Sequence, residues 1–357
     1  MPFDLDDRFA PSETDRQRRD RALVSNWLFT VCFMLLVMVA LGGATRLTGS
    51  GLSIMEWAPL SGALPPLSHA EWERLYGLYQ QVPQSTLVNA GIGLDGFKHI
   101  FWLEWAHRLW GRLIGIVFLV PLLVFWWRGA IRRRLWLRLA GLFALGGLQG
   151  GVGWFMVTSG FFAGSTAVSA YRLVIHLALA LSLYAAILWT AMSVRDPRPA
   201  QPARRRAFRS LVAACCALVA LTIVAGGFVA GLHAGLAYNT FPRMGGQVIP
   251  ADYAALSPLL RNVTENIATV QFDHRLLATL TALVVMAAVF VGLRSARGGA
   301  VRRAVSVMGG VVLVQYALGV TTLLWVVPVA LATAHQAVAV LLLTATLATL
   351  YLERRSA

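Results

Sequence analysis

EWAHRLWGRLIG, residues 104–115, opens a long apolar run yet carries Glu104, His107, Arg108 and Arg112. Lipid rejects such groups, so they must face protein or water inside a bundle. A second run opens in the same way. QFDHRLLATLTA, residues 271–282, repeats His-Arg-Leu at 274–276. The likeness continues downstream: LGGLQGG surrounds Gln149 and LVQYALG surrounds Gln315, while His176 and His335 lie in the first turns of two later runs. The chain therefore reads as two copies of one unit.

The composition sets what that unit is. The 357 residues are 57% hydrophobic and 13% charged, against about a quarter charged in soluble domains. A spanning helix needs about 20 mostly apolar residues. Eight candidates appear, at 26–45, 104–127, 139–158, 171–193, 210–231, 272–293, 304–326 and 330–352. The expected fold is an all-α integral membrane protein of eight transmembrane helices, arranged as two tandem four-helix bundles. Four is even, so the copies share one orientation and are related by a pseudo-two-fold axis along the membrane normal.

The net charge of +15 is a matter of topology, not nucleic acid. Arginines cluster between spans, in RQRRDR near the start, at 128–138, 195–209 and 294–303, and in ERR at the end. The positive-inside pattern puts both termini in the cytoplasm. The divisions are a tail over 1–25, a first half over 26–193 with a long outer loop at 46–103, a linker over 194–209, a second half over 210–352 and a tail over 353–357. The first 26 residues lack an apolar core, so no cleavable signal peptide is expected. The expected home is a bacterial inner membrane. Cys32, Cys215 and Cys216 lie in apolar runs and are read as packing residues. In the outer loop, SHAE at 68–71 has capping-box form, and Trp72, Leu75, Tyr76 and Tyr79 recur at helical spacing. An amphipathic helix lying on the outer membrane face is expected, as a lid or an interfacial anchor.

Four histidines hold matched positions: His107 and His176, then His274 and His335. Two imidazoles across each bundle suit the axial positions of a haem iron. They suit zinc less, since zinc wants four ligands. Interhelical hydrogen bonds, a copper site and a proton relay remain as other readings. Arg108 and Arg275 each follow a histidine, and Arg172 precedes His176 by a turn. Arginine matches carboxylate geometry, so these three are candidates to hold propionates, with snorkelling to lipid phosphate as the alternative. Arg46 belongs to the same class, more weakly. Gly146, Gly147, Gly150, Gly151, Gly226, Gly227 and Gly231 allow close approach of a ring or of helices. His69, His99 and His233 are expected to be solvated, and Arg112 has no assignment.

The copies differ at one informative place. Three residues before His107 stands Glu104; three before His274 stands Gln271. That spacing puts each on the face of its histidine. A carboxylate accepts a proton or stabilises positive charge better than an amide, which marks the first half as the reactive one. The bland alternative is that Glu104 only pairs with an arginine such as Arg108.

The chain resembles the haem A synthases of the alphaproteobacterial and mitochondrial group. The resemblance rests on GGATRLTGSGLSIMEWAPLSGALPP at 42–66, EWAHRLWGRLIG at 104–115, YRLVIHLALAL at 171–181, AGLHAGLAYNTFPRMGGQVIP at 230–250, NVTENIATVQFDHRLLA at 262–278 and LATAHQAVAVLLLT at 331–344. It implies oxidation of a ring methyl of haem O to the formyl of haem A by successive hydroxylations, for terminal oxidase. It also implies that His107 and His176 bracket the substrate haem O, with Glu104 the acidic residue of the active site, and that His274 and His335 ligate a haem B. The haem sites would lie toward the periplasmic side. Candidate partners are a haem O synthase, an electron acceptor or donor, and a second copy of the chain; the sequence itself names none of them. Some relatives carry an outer-loop cysteine pair that this chain lacks. A di-haem electron-transfer cytochrome without substrate chemistry is the alternative, and a transporter on a parallel repeat is the third class.

Overall fold

The computed structural model describes residues 14–197, 206–295 and 299–355. The distal parts of the expected tails and residues 198–205 of the 194–209 linker lie outside them. Eleven α-helices follow in chain order among the described residues: α1 (Asp15–Leu47), α2 (His69–Tyr79), α3 (Pro83–Leu87), α4 (Gly93–Trp127), α5 (Arg133–Val157), α6 (Ala170–Arg195), α7 (Arg206–Gly231), α8 (Asn262–Glu265), α9 (Ile267–Ser295), α10 (Gly299–Leu324) and α11 (Val329–Glu353). Eight of them, α1, α4, α5, α6, α7, α9, α10 and α11, are long and apolar enough to cross a membrane. They correspond one to one with the eight expected spans.

Two helices begin well before their apolar runs. Helix α1 starts at Asp15 because Thr14 and Gln17 close a capping box, which satisfies amides that the polar Arg-rich stretch would otherwise leave open. Helix α4 starts at Gly93, so Phe97, Phe101 and Glu104 are buried on one continuous helix. The α4 extension gives α2 a partner. Ser68 caps α2 through the Glu71 amide at 3.2 Å; the box expected from SHAE is only half formed, because the Glu71 side chain bonds Arg74 instead. The apolar face of α2 then packs on α4 rather than only on a membrane surface. Trp72 meets Phe101 edge-on with centroids 4.8 Å apart, and Tyr79 stacks on Phe97 at 5.4 Å. Leu52 and Val82 complete this second core.

The spanning helices close into two rings. Helices α1, α4, α5 and α6 pack in sequence around one interior; α7, α9, α10 and α11 pack around another. The rings meet where α1 packs on α11 and α6 packs on α7 and α11. Absent side chains let the backbones approach there. A Cβ on Gly227 of α7 would stand 3.0 Å from Val174 of α6. Buried hydroxyls supply the polar ties that lipid-depth packing favours. Tyr184 and Thr344 share a hydrogen bond of 2.6 Å, and Tyr351 donates to the carbonyls of Met192 at 2.9 Å and Asp196 at 2.8 Å. Cys32 and Cys215 are buried and all three cysteines are unbridged.

Arg74 clasps α2 to the preceding loop. It donates to both oxygens of Glu56, at 2.9 and 2.8 Å, and to both of Glu71, at 3.1 and 2.8 Å. These bonds hold the Glu56 and Glu71 carboxyls below the usual carboxylate range. The clasp is therefore complete above the ordinary carboxylate pKa of about 4 and is lost as pH falls through the depressed values. Exposed ion pairs contribute little to global stability, so Arg74→Ala should leave the melting temperature nearly unchanged. It should nonetheless raise the rate of limited proteolysis within residues 56–93, and acidification should do the same to the native protein. An unchanged cleavage rate would remove the clasp's role.

Candidate haem site

The structure pairs the four histidines as the repeat predicts. His107 on α4 is close enough to His176 on α6 to interact electrostatically, and His274 on α9 is likewise close to His335 on α11. Each pair faces the interior of one ring. All four lie deep in the protein, yet their rings are only partly covered by neighbours. His69, His99 and His233 are exposed, in line with the expectation.

Each of the four imidazoles rests on a glycine of the adjacent helix. A Cβ added to Gly42 of α1 would stand 3.0 Å from the His107 ring. The corresponding distances are 2.9 Å from Gly153 of α5 to His176, 3.0 Å from Gly226 of α7 to His274, and 2.9 Å from Gly319 of α10 to His335. Side-chain carbons essentially never approach as closely as at Gly153 and Gly319, and at Gly42 and Gly226 the ring would have to give way by a few tenths of an ångström. Gly226 was among the sequence candidates; Gly42, Gly153 and Gly319 were not. Gly147, Gly150 and Gly151, which were, have nothing near enough to meet a side chain. The signal existed: Gly153 and Gly319 each follow a matched glutamine, Gln149 or Gln315, by four residues.

The ring nitrogens differ in their partners. Gln149 Nε2 lies 3.1 Å from His176 Nδ1 and donates to the His176 carbonyl at 2.9 Å. In the second ring, His274 approaches the backbone of Thr222 and His335 that of Gln315, but neither Nδ1 completes a hydrogen bond. Buried nitrogens that lack partners are costly unless something else engages the ring. Paired imidazoles on glycine cradles, only partly covered by neighbours, are a donor set that would suit a haem in each ring. Among the described residues no three His, Cys, Asp or Glu side chains converge as a metal cluster would require, which disfavours the zinc reading.

The polar residues at the long-loop end form a second duplicated layer. Glu104 is 2% exposed. Its Oε2 accepts from the Ser53 amide at 2.8 Å, the Ser53 hydroxyl at 2.7 Å and the Ile54 amide at 3.0 Å. Its Oε1 accepts from Arg108 at 3.1 and 2.6 Å. Arg108 also donates to the carbonyls of Ile54 at 2.7 Å and Glu56 at 2.8 Å, and lies over the Trp154 ring. In the second ring, Gln271 Oε1 accepts from Arg275 at 3.0 Å and its Nε2 donates to Ala234 at 2.7 Å. Arg275 donates to the carbonyls of Tyr238 and, at 2.8 Å, Thr240. Ile54 and Glu56 precede Tyr238 and Thr240 by the 184 residues that also separate Arg46 from Ala230, whose carbonyl Arg46 reaches. So the loops repeat as well as the spans. Gly49 and His233 keep the same offset and both take left-handed backbone, at φ 67° and 53°.

The remaining arginines have local partners. Arg112 was unassigned from sequence; it donates to Pro59 and Ala58 carbonyls, both at 2.8 Å. It extends the row of Glu104 and Arg108 along one face of α4 that grips residues 53–59. Arg172 donates to the Phe155 carbonyl at 2.7 Å and covers the Phe155 ring at 3.9 Å, one turn from His176. A cavity of about 280 Å³ lies between this loop, α2 and α4, with Arg74, Trp105, Arg108 and Arg112 in its wall.

The family model described as cytochrome oxidase assembly protein (COX15-CtaA) matches residues 25–347. The chain belongs to that family. It is 61% identical over 94% of its length to a haem A synthase of Granulibacter bethesdensis, covering 88% of that protein. It is 48% identical to a haem A synthase of Rhodospirillum centenum, over 93% of this chain and 88% of the relative. For one of Nitrosospira multiformis the figures are 46%, 94% and 95%. As a member of the cytochrome oxidase assembly protein family, the chain thus matches its relatives across both rings and both long loops.

The glycine cradle yields a test that needs no ligand. Gly→Ala within a helix ordinarily stabilises by up to about 1 kcal/mol. At Gly153 or Gly319 it should instead lower the melting temperature of the purified protein, because the new methyl group meets an imidazole. At Gly147 or Gly150 it should be neutral or stabilising. Equal behaviour at all four positions would show that the cradle exerts no constraint.

Proposed function

We propose that this chain is a haem A synthase: an oxidoreductase that converts a ring methyl of haem O to the formyl of haem A by successive hydroxylations, for terminal oxidase assembly. The observation that carries the reading is the duplicated histidine pair, each imidazole seated on glycine, in a chain 61% identical to a protein of that name. The duplication defines two four-helix halves. Arg46 bonding to its own repeat equivalent, Ala230, is the contact expected beside a two-fold axis along the membrane normal. The chain sits in a bacterial inner membrane, with both termini cytoplasmic and the long loops and haem sites on the periplasmic side.

Within this reading His107 and His176 hold substrate haem O in the first half, and His274 and His335 hold haem B in the second. Haem B supplies a redox-active iron for electron passage. The chain's own groups position and enclose. Gln149 fixes the His176 ring by bonding both its nitrogen and its carbonyl. Gly42 and Gly153 set how far the two substrate-side rings stand from their helices. Glu104, Arg108 and Arg112 fasten residues 53–59 along α4, which keeps water from the histidine layer beneath. Arg108, Arg172 and Arg275 are the candidates to meet propionates, although each already donates to backbone carbonyls. A haem O synthase is the natural supplier of the substrate, and the reaction requires an electron acceptor.

Haem extracted after expression alongside a haem O source should include haem A. Recovery of haem B and haem O alone, under both oxidising and reducing growth, would leave an electron-transfer cytochrome. The ligand roles separate by variant. His274→Ala or His335→Ala should lose haem B from the optical spectrum. His107→Ala or His176→Ala should keep it and abolish conversion. Four variants with unchanged spectrum and conversion would refute the assignment.

A further inference from the structure

The seam between α4 and α5 in the first ring and its repeat between α9 and α10 in the second are built differently. On α5, Phe143, Gly146, Gly150 and Gly153 follow at steps of three and four, which puts them on one face. On α4, Arg108, Gly111, Gly115 and Phe118 do the same. The two faces are turned toward each other. Phe118 stacks on Phe143 with centroids 6.0 Å apart, and nearer the long-loop end Arg108 lies 5.6 Å from the centre of the Trp154 ring. Between these bulky contacts the facing stripes carry glycine. A Cβ on Gly115 or Gly150 would meet nothing within 4 Å, and one on Gly146 would meet Leu183 of α6 at 3.9 Å; Gly111 approaches Met38 of α1 instead. Large groups above and below hold the helices apart, so the glycines leave a slot. It starts at the histidine layer and runs about 10 Å deeper, the rise from Gly153 to Gly146.

The second ring fills the same space. Counting from the matched His107 and His274, and from Gln149 and Gln315, Gly115 corresponds to Ala282, Gly146 to Val312 and Gly150 to Tyr316. Val312 is buried. The Tyr316 hydroxyl shares a 3.0 Å hydrogen bond with Thr279 of α9, and Phe241 of the second long loop meets the Tyr316 ring edge-on at 6.4 Å. Deeper, a Cβ on Gly309 would stand 3.2 Å from Val289 of α9. Burial follows the same contrast. Helix α5 buries Leu139 alone, whereas α10 buries Val301, Val305, Met308, Gly309, Val312 and Thr322.

Helix α5 stands between α4 and α6 around the first ring, so it flanks whatever His107 and His176 hold. We propose that the slot receives the isoprenoid chain that haem O carries and haem B lacks: Gly115, Gly146 and Gly150 admit the substrate, and Ala282, Val312 and Tyr316 exclude it from the second half. The inference rests on the haem A synthase reading. Haem O and haem B share the porphyrin, the propionates and the ring methyl that is oxidised. They differ in one peripheral group, a long isoprenoid chain in place of a vinyl. Paired histidines on glycine cradles occur in both rings and cannot tell the two haems apart; space beside the ring can. Apolar attraction does not make the choice, because the chain already has apolar surroundings in the bilayer. The selection is steric, and forcing extra groups into a filled interior weakens binding by about tenfold or more.

The test is binding and not turnover. Full-length protein carrying His274→Ala reports the first half, and protein carrying His107→Ala reports the second. Each is purified free of haem and titrated in detergent with haem O and with haem B, followed by the Soret band. Gly150→Tyr and, separately, Gly146→Val should weaken haem O binding to the first half by about tenfold or more while leaving haem B binding within about twofold. Retained haem B binding shows that the variant is folded. Gly115→Ala, the mildest replacement, should act in the same direction. Val312→Gly together with Tyr316→Gly should admit haem O to the second half. Unchanged haem O affinity in the three first-half variants, or loss of haem B in parallel with haem O in each, overturns the proposal. Haem A formation is measured separately. Its absence would sink the enzymatic reading and leave the ratio of haem O to haem B binding to decide the slot.

Discussion

An imidazole resting on the bare backbone of a neighbouring helix is the contact on which the interior depends. It occurs four times, each time between helices consecutive among the spans: α1 with α4, α5 with α6, α7 with α9, α10 with α11. A ring held this way cannot lean back, so it stands out from its helix toward the ring centre. Close approach over glycine recurs at the seam, where α6 and α7 meet over Gly227. Both contacts depend on where glycine was placed.

Most of the scaffold was legible in the sequence, because the bilayer enforces it. Apolar length and arginine placement gave eight spans, and each is matched by a helix. The histidine pairing followed from matched positions on alternate spans. What could not be read was anything carried by the backbone. Arg108, Arg112 and Arg275 bind loop carbonyls, and every residue has a carbonyl, so no pattern of residue types marks their partners. The early start of α4 was hidden because GLDGFKHIF is not apolar enough to signal a span, although Phe97 and Phe101 on it form the floor for α2. Sequence also pointed at the densest glycines of α5. The one that meets a histidine is Gly153, outside that cluster, because contact with His176 is set by helix register and not by glycine frequency.

Glu104 shows how geometry refines a residue-type argument. A carboxylate beside a histidine suggested proton chemistry. In the structure its two oxygens accept five hydrogen bonds, three from Ser53 and Ile54 and two from Arg108. A carboxylate so engaged ties the loop at Ser53 and Ile54, and Arg108 with it, to α4. The Glu/Gln difference remains the informative break in the repeat.

Duplication makes that economy intelligible. Two copies of a four-helix unit present the same histidines, the same cradles and the same arginine grip on a returning loop, offset by 184 residues along the loop end. Any group that binds one copy finds the same paired histidines in the other. What separates the halves is therefore local: Gln149 bonds the His176 ring where the His335 Nδ1 has no partner, Glu104 stands where the second copy has Gln271, and Arg112 adds a grip on the first loop at the position of Thr279 in the second.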